Sequence, residues 1–159
     1  MAAKSRKSRV SVRIGVLNGP NLNLLGTRDP AHYGTLTLAE IEQRLLEEAD
    51  ARGATIEFHQ SNDEGNLVDW VQARGPEVDG WLVNAAAFTH TSVALRDALA
   101  ASDRPFVEVH LSNVYAREPF RHTSLLADLA VGVIAGFRVS SYVFGLHALV
   151  DHLEPRAGE

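Results

Sequence analysis

The chain is predicted to fold as a flavodoxin-like α/β domain: three layers built on a five-stranded parallel sheet of order 2-1-3-4-5, with helices on both faces. Three observations carry this. Five short apolar runs alternate with segments of helical period. Strands separated by helices give a parallel sheet covered on both sides. Five strands within 159 residues favour the 2-1-3-4-5 order over a six-stranded dinucleotide fold.

The elements follow in order. Val10, Val12, Ile14 and Val16 alternate with smaller or polar residues and make the first strand. A loop rich in Gly, Asn and Pro runs from Asn18 to about Leu36. Thr37 and Glu40 have the spacing of a capping box, and Leu38, Ile41, Leu45 and Ala49 keep a helical period up to Gly53. Thr55–Phe58 is the second strand. Ser61 and Glu64 repeat the capping-box spacing, opening a helix through Leu67, Trp70, Val71 and Arg74 to Gly75. Gly80–Val83 is the third strand, Ser92–Ala101 the third helix, Pro105–Val109 the fourth strand, Val131–Ala135 the fifth, and Ser140–Leu153 the last helix. There are no internal repeats.

Length and composition set the class. A chain of 159 residues, 45% hydrophobic and 22% charged, is one globular domain with enough apolar mass for a core. Residues 1–9 read as a flexible basic tail, with Lys4, Arg6, Lys7 and Arg9, and residues 10–159 as a single catalytic domain. Because the formal net charge is −5 even with those four cations, the body is acidic, and binding to nucleic acid is not expected. With no cysteine, disulfides, thiolate zinc sites and thiol nucleophiles are excluded. Lys4 and Lys7 are the only lysines, so the folded body has none for a Schiff base or a phosphate loop. The longest apolar run, Leu125–Phe137, contains Asp128 and two glycines, too broken to span a membrane. Arg13 interrupts the stretch where a signal-peptide core would form, and a cytoplasmic location is expected.

In open parallel sheets, ligands bind beyond the carboxyl ends of the strands. Here those ends lead into Asn18-Gly-Pro-Asn21, Gln60-Ser61-Asn62, Asn84 through His90, and His110-Leu-Ser-Asn113. Four polar loops on one rim suit a small, oxygen-rich molecule. The first loop carries Arg28 and Tyr33 with Pro30 between them. A cation beside a tyrosine favours phenolate over phenol, and a tyrosine, which ordinarily titrates near about 10, needs such a neighbour to act as a base at neutral pH. On loop composition alone the plainer reading, in which Tyr33 packs and Arg28 pairs with Asp29, stands ahead. His90 sits in Thr89-His-Thr-Ser92 at a helix start, where a Thr or Ser cap explains the segment equally well. Glu108 and His110 share a strand face, either as a carboxylate that orients an imidazole acid or as a structural pair. Arg117 and Arg121 are four apart, able to hold a carboxylate or to pair with Glu118. His90, Glu108, His110 and His122 lack the tight spacing of a metal site, so no metal is expected. No glycine-rich nucleotide motif follows a strand, and no cofactor is expected.

Five segments taken together resemble the type II 3-dehydroquinate dehydratases: Asn18-Gly-Pro-Asn-Leu-Asn-Leu-Leu-Gly, Arg28-Asp-Pro-Ala-His-Tyr-Gly, Phe88-Thr-His-Thr-Ser-Val-Ala-Leu-Arg-Asp97, Glu108-Val-His-Leu-Ser-Asn113 and Arg117-Glu-Pro-Phe-Arg-His122. The resemblance covers roughly Arg13 to His152. It implies trans-dehydration of 3-dehydroquinate to 3-dehydroshikimate through an enolate, without metal or lysine. By that resemblance Tyr33 is the base, Arg28 stabilises its phenolate, His110 oriented by Glu108 is the acid, and Asn21 holds a water against the enolate oxygen. Asn84, His90, Arg121 and the backbone of Leu111 and Ser112 would bind substrate. Asp97 would reach a neighbouring subunit's site in a trimer-based dodecamer. Apolar residues on helix faces, among them Val93, Leu95 and Leu99, offer surface for such assembly. Ala85 stands where many members have proline, Leu111 replaces the usual isoleucine, and Thr123 and Ala127 also depart from the common residues. A non-catalytic binding module of the same fold is the alternative. Tyr33 with Arg28 on one loop separates the two, because a binder has no use for a base and its activator.

Overall fold

The computed structural model describes residues 11–27 and 30–154. The basic tail, Val10 of the first strand, and Arg28 with Asp29 lie outside the described residues. Five parallel strands, β1 (Arg13–Asn18), β2 (Thr55–Gln60), β3 (Gly80–Asn84), β4 (Phe106–His110) and β5 (Gly132–Ala135), pair in the order β2-β1-β3-β4-β5. That is the flavodoxin-like order expected. The register brings Asn18 level with Gln60 on one side and Asn84 on the other, so the polar strand ends finish at one rim.

Among the described residues, five α-helices complete the fold: α1 (Pro30–Tyr33), α2 (Leu38–Ala51), α3 (Glu64–Arg74), α4 (Val93–Ala101) and α5 (Val139–Leu153). Alternate strand residues point to opposite faces, which makes two cores. Ile14, Val16, Leu82, Val107 and Val109 meet Ile41 and Leu45 of α2 and Leu146 and Leu149 of α5. Leu17, Trp81, Val83 and Phe106 meet Leu67 and Val71 of α3 and Leu95 and Leu99 of α4. Burial on both faces explains why β1 is buried throughout Ile14–Asn18 rather than alternating buried with exposed.

Local chemistry sets the helix ends. The capping box before α2 forms in full: Thr37 Oγ1 accepts from Glu40 N at 3.2 Å, and Glu40 Oε2 accepts from Thr37 N at 2.8 Å. The second expected box does not form. Asp63, not Ser61, caps α3 by accepting from Asn66 N at 2.7 Å, while Ser61 Oγ accepts from Asp63 N at 3.0 Å. A carboxylate closest to the first turn is the better acceptor there, because it also meets the positive end of the helix dipole. Ser92 caps α4 by accepting from Leu95 N at 2.9 Å.

The expected long loop after β1 contains two ordered pieces, a 3₁₀ turn at Leu22–Leu24 and α1. Leu22 and Leu25 are buried in the core below and seat the loop on the rim. Gly19 lets this loop touch the one after β3: a Cβ there would lie 2.1 Å from the Ala85 carbonyl oxygen, while Gly19 N donates to Asn84 O at 2.8 Å. Arg117 and Arg121 do not share a helix. Their segment forms two short 3₁₀ turns, Val114–Ala116 and Pro119–Arg121, with Pro119 opening the second.

Candidate active site

At the carboxyl ends of β1, β3 and β4 lies a cleft of about 640 Å³ including its open mouth. Asn21, Tyr33, Asn84, His90, His110, Leu111, Ser112 and Arg121, all expected from the sequence, line it, and so does Arg117. Glu108 lies one layer behind, Asp97 on α4 is not a wall of its own chain's cleft, and Arg28 is outside the described residues.

The β4 end supplies an imidazole–carboxylate pair. His110 Nε2 lies 2.6 Å from Glu108 Oε1, with the two side chains 7% and 1% exposed. A carboxylate can only accept, so Nε2–H donates, and Nδ1 is left to exchange a proton with a ligand. Ser124 Oγ lies 2.9 Å from each Glu108 oxygen and accepts from Leu126 N and Ala127 N, fixing the carboxylate from behind.

Tyr33 lines the same cleft. Arg117 Nη1 donates to Tyr33 Oη at 3.0 Å and to Ser112 Oγ at 3.3 Å, and its guanidinium carbon sits 5.3 Å from the Tyr33 ring centre. A cation against this oxygen stabilises negative charge on it. The family resemblance named Arg28 for that task, and the residues by themselves left Arg117 to hold a carboxylate or to pair with Glu118. Tyr33 and Arg117 are 84 positions apart, and no local spacing can announce such a contact.

The remaining groups are held for recognition. His90 Nδ1 lies 2.8 Å from the Thr123 carbonyl oxygen, so that nitrogen donates and Nε2 is the acceptor. Arg121 Nε donates to Glu118 Oε2 at 2.7 Å, leaving its terminal nitrogens for a ligand. The Glu118 carboxyl is held below its ordinary range, first by its own backbone N–H and then by Arg121. Asn21 takes a left-handed conformation, φ 67°, which asparagine tolerates, and its N–H donates to Asn62 Oδ1 at 2.9 Å.

Beneath the cleft, Tyr142 of α5 joins two strand ends. Its hydroxyl donates to Asn18 Oδ1 at 2.7 Å and accepts from Asn84 Nδ2 at 2.9 Å, all three residues being buried. Burial pushes the phenol well above the ordinary tyrosine value, so it stays a donor. Replacing Tyr142 with Phe strands two buried amide groups, and a loss of about 1–3 kcal/mol in the urea midpoint analysis is expected.

The result is a flavodoxin-like α/β protein with an acid–base-equipped polar cleft at the rim of its sheet. The chain belongs to the class II dehydroquinases: the family model, Dehydroquinase class II, matches residues 12–150. It is 58% identical over 139 residues to the 3-dehydroquinate dehydratase of Acaryochloris marina, covering 87% of this chain and 93% of that one. It is 54% identical over 142 residues to that of Dinoroseobacter shibae, covering 89% and 95%. The crystal structure of type II dehydroquinase from Propionibacterium acnes superposes with a TM-score of 0.85 at 38% identity, covering 91% of this chain and 99% of that one.

Proposed function

We propose that this cleft is where the chain, a type II 3-dehydroquinate dehydratase of the shikimate pathway, carries out its hydro-lyase reaction, with Tyr33 as base and His110 as acid. The observation that carries the assignment is that Tyr33, backed by Arg117, and His110, backed by Glu108, line one cleft from different elements. The family relationship favours this enzyme over a binding module of the same fold.

The steps are those the family resemblance implies, assigned to the groups present. Tyr33 Oη, as phenolate, takes the proton from the carbon beside the ketone of 3-dehydroquinate, and the electron pair moves onto the ketone oxygen as an enolate. The pair then returns to form the carbon–carbon double bond while the neighbouring hydroxyl leaves, protonated by His110 Nδ1, as water. Asn21 holds a water against the enolate oxygen, and Arg117 steadies the phenolate. Arg121 binds the substrate carboxylate. His90, Asn84 and the backbone of Leu111 and Ser112 meet its hydroxyls. Arg28 keeps the stabilising role implied by the sequence resemblance.

The test is direct: purified protein given 3-dehydroquinate is expected to develop the absorbance of the conjugated enone product. Turnover is expected to survive borohydride added with substrate, because an imine needs a lysine and only Lys4 and Lys7 exist. Inactivation with mass added at either lysine would replace the enolate route with an imine.

The resemblance also supports a cytoplasmic, trimer-based dodecamer in which Asp97 serves a neighbour's site. Among the described residues no helix is long and apolar enough to cross a membrane. Of the three helix-face residues expected to be available for assembly, Leu95 and Leu99 belong to the protomer's own core and Val93 is exposed. Phe137 and Phe144, whose ring centres lie 5.9 Å apart, are exposed as well, and so are Val131 and Val133. Mixing inactive Tyr33→Phe and Asp97→Ala proteins, then reassembling them, is expected to restore part of the activity, since some mixed sites regain both residues. A fully active monomer in sedimentation would overturn the shared site.

A further inference from the structure

We propose that Arg138 is a positioning residue for Tyr33, acting through the apolar stem of its side chain and not through its charge. The inference rests on the reading of Tyr33 as the base. Residues 137–140 form the tight turn that leads into α5, with Ser140 N donating to the Phe137 carbonyl at 3.1 Å. Arg138 occupies the first central position of that turn at φ 53°, ψ −133°. This is type II′ geometry, where glycine is preferred because a Cβ crowds the backbone. An arginine held there is strained.

The side chain shows what the strained residue reaches. Its Cβ, Cγ and Cδ lie 3.5–4.0 Å from the point a Cβ on Gly34 would occupy, so the stem stands where it faces the residue that follows Tyr33. Gly34, buried and at φ 81°, puts no side chain of its own between them. Together with Tyr33, Thr35, Leu36, Ile41 and Val139, Arg138 lines a second, open pocket of about 360 Å³ including its mouth, which shares Tyr33 with the cleft.

On its other side the same residue's backbone N–H donates to Leu111 O at 2.9 Å, one position from His110. One residue therefore spans the acid-bearing and base-bearing segments, by its backbone to the first and its methylenes to the second. Among the described residues its guanidinium makes no hydrogen bond, and the residue is exposed. Glycine at this position would keep the bond to Leu111 and relieve the turn, but it would remove the stem that faces Gly34 and lines the pocket beside Tyr33. Small displacements of a reacting group cost catalysis heavily.

The expected signature has opposite signs. Arg138→Gly should melt about 2–4 °C higher, the strain being relieved in a domain of this size, while kcat falls about tenfold and KM changes little. Arg138→Met, which restores an apolar stem without charge, should regain most of kcat and lose the gain in melting temperature. An unchanged kcat in Arg138→Gly overturns the proposal, and so does a kcat in Arg138→Met as low as that of the glycine variant. A melting temperature that does not rise removes the strained turn from the account. Tyr33→Phe measured alongside separates the two layers: if that variant keeps turnover, the reading of the base fails, and if it alone loses turnover, only the role of Arg138 fails.

Discussion

Tyr33→Phe is expected to lower kcat by about two to four orders of magnitude, the usual contribution of a positioned general base, with KM and thermal stability close to the parent. The ring stays, so its packing and the cation–π contact with Arg117 stay. Arg117 loses the Tyr33 oxygen as acceptor but keeps Ser112 Oγ at 3.3 Å. What disappears is the oxygen proposed to take the proton. Steady-state kinetics on the enone product, with a melting curve as control, decide the matter. A variant that keeps more than about a tenth of the parental kcat is incompatible with a base worth that much.

The second large effect is on the acid. His110→Gln retains a polar side chain at the strand end but cannot deliver a proton, and a fall in kcat of about two to four orders of magnitude is expected. Glu108→Gln should be milder, because the amide oxygen can still accept from Nε2–H and keep the ring oriented. It removes only the charge that stabilises the imidazolium, and about tenfold to a hundredfold in kcat is expected for such a supporting group. If Glu108→Gln were as damaging as His110→Gln, the carboxylate would be acting on substrate itself. An unaffected kcat in His110→Gln would move the acid elsewhere. The contrast is sharp because Glu108 is 1% exposed and held by Ser124, out of the cleft wall.

The sequence by itself determined the sheet and most of the side chains that line the cleft. Helix periods, the Thr37–Glu40 box and the short apolar runs are local, and local spacing survives folding. The carboxyl-end rule then carries Asn21, Asn84, His90 and His110 to one rim, because a parallel sheet collects all its strand ends on the same side. Glu108 and His110 were readable as a pair because a two-residue step on a strand fixes their common face.

Only the tertiary structure decided what stands behind those groups. Arg117 reaches Tyr33 across 84 positions, Tyr142 links Asn18 and Asn84 from α5, and Ser124 backs Glu108 from a loop. Each contact joins elements whose meeting depends on strand order and register, not on their own spacing. The same holds for Arg138, whose sequence neighbours say nothing of Gly34. Its backbone could be read as strained only once the turn from β5 into α5 had been placed, and its place facing Gly34 only once the segment after Tyr33 had been placed.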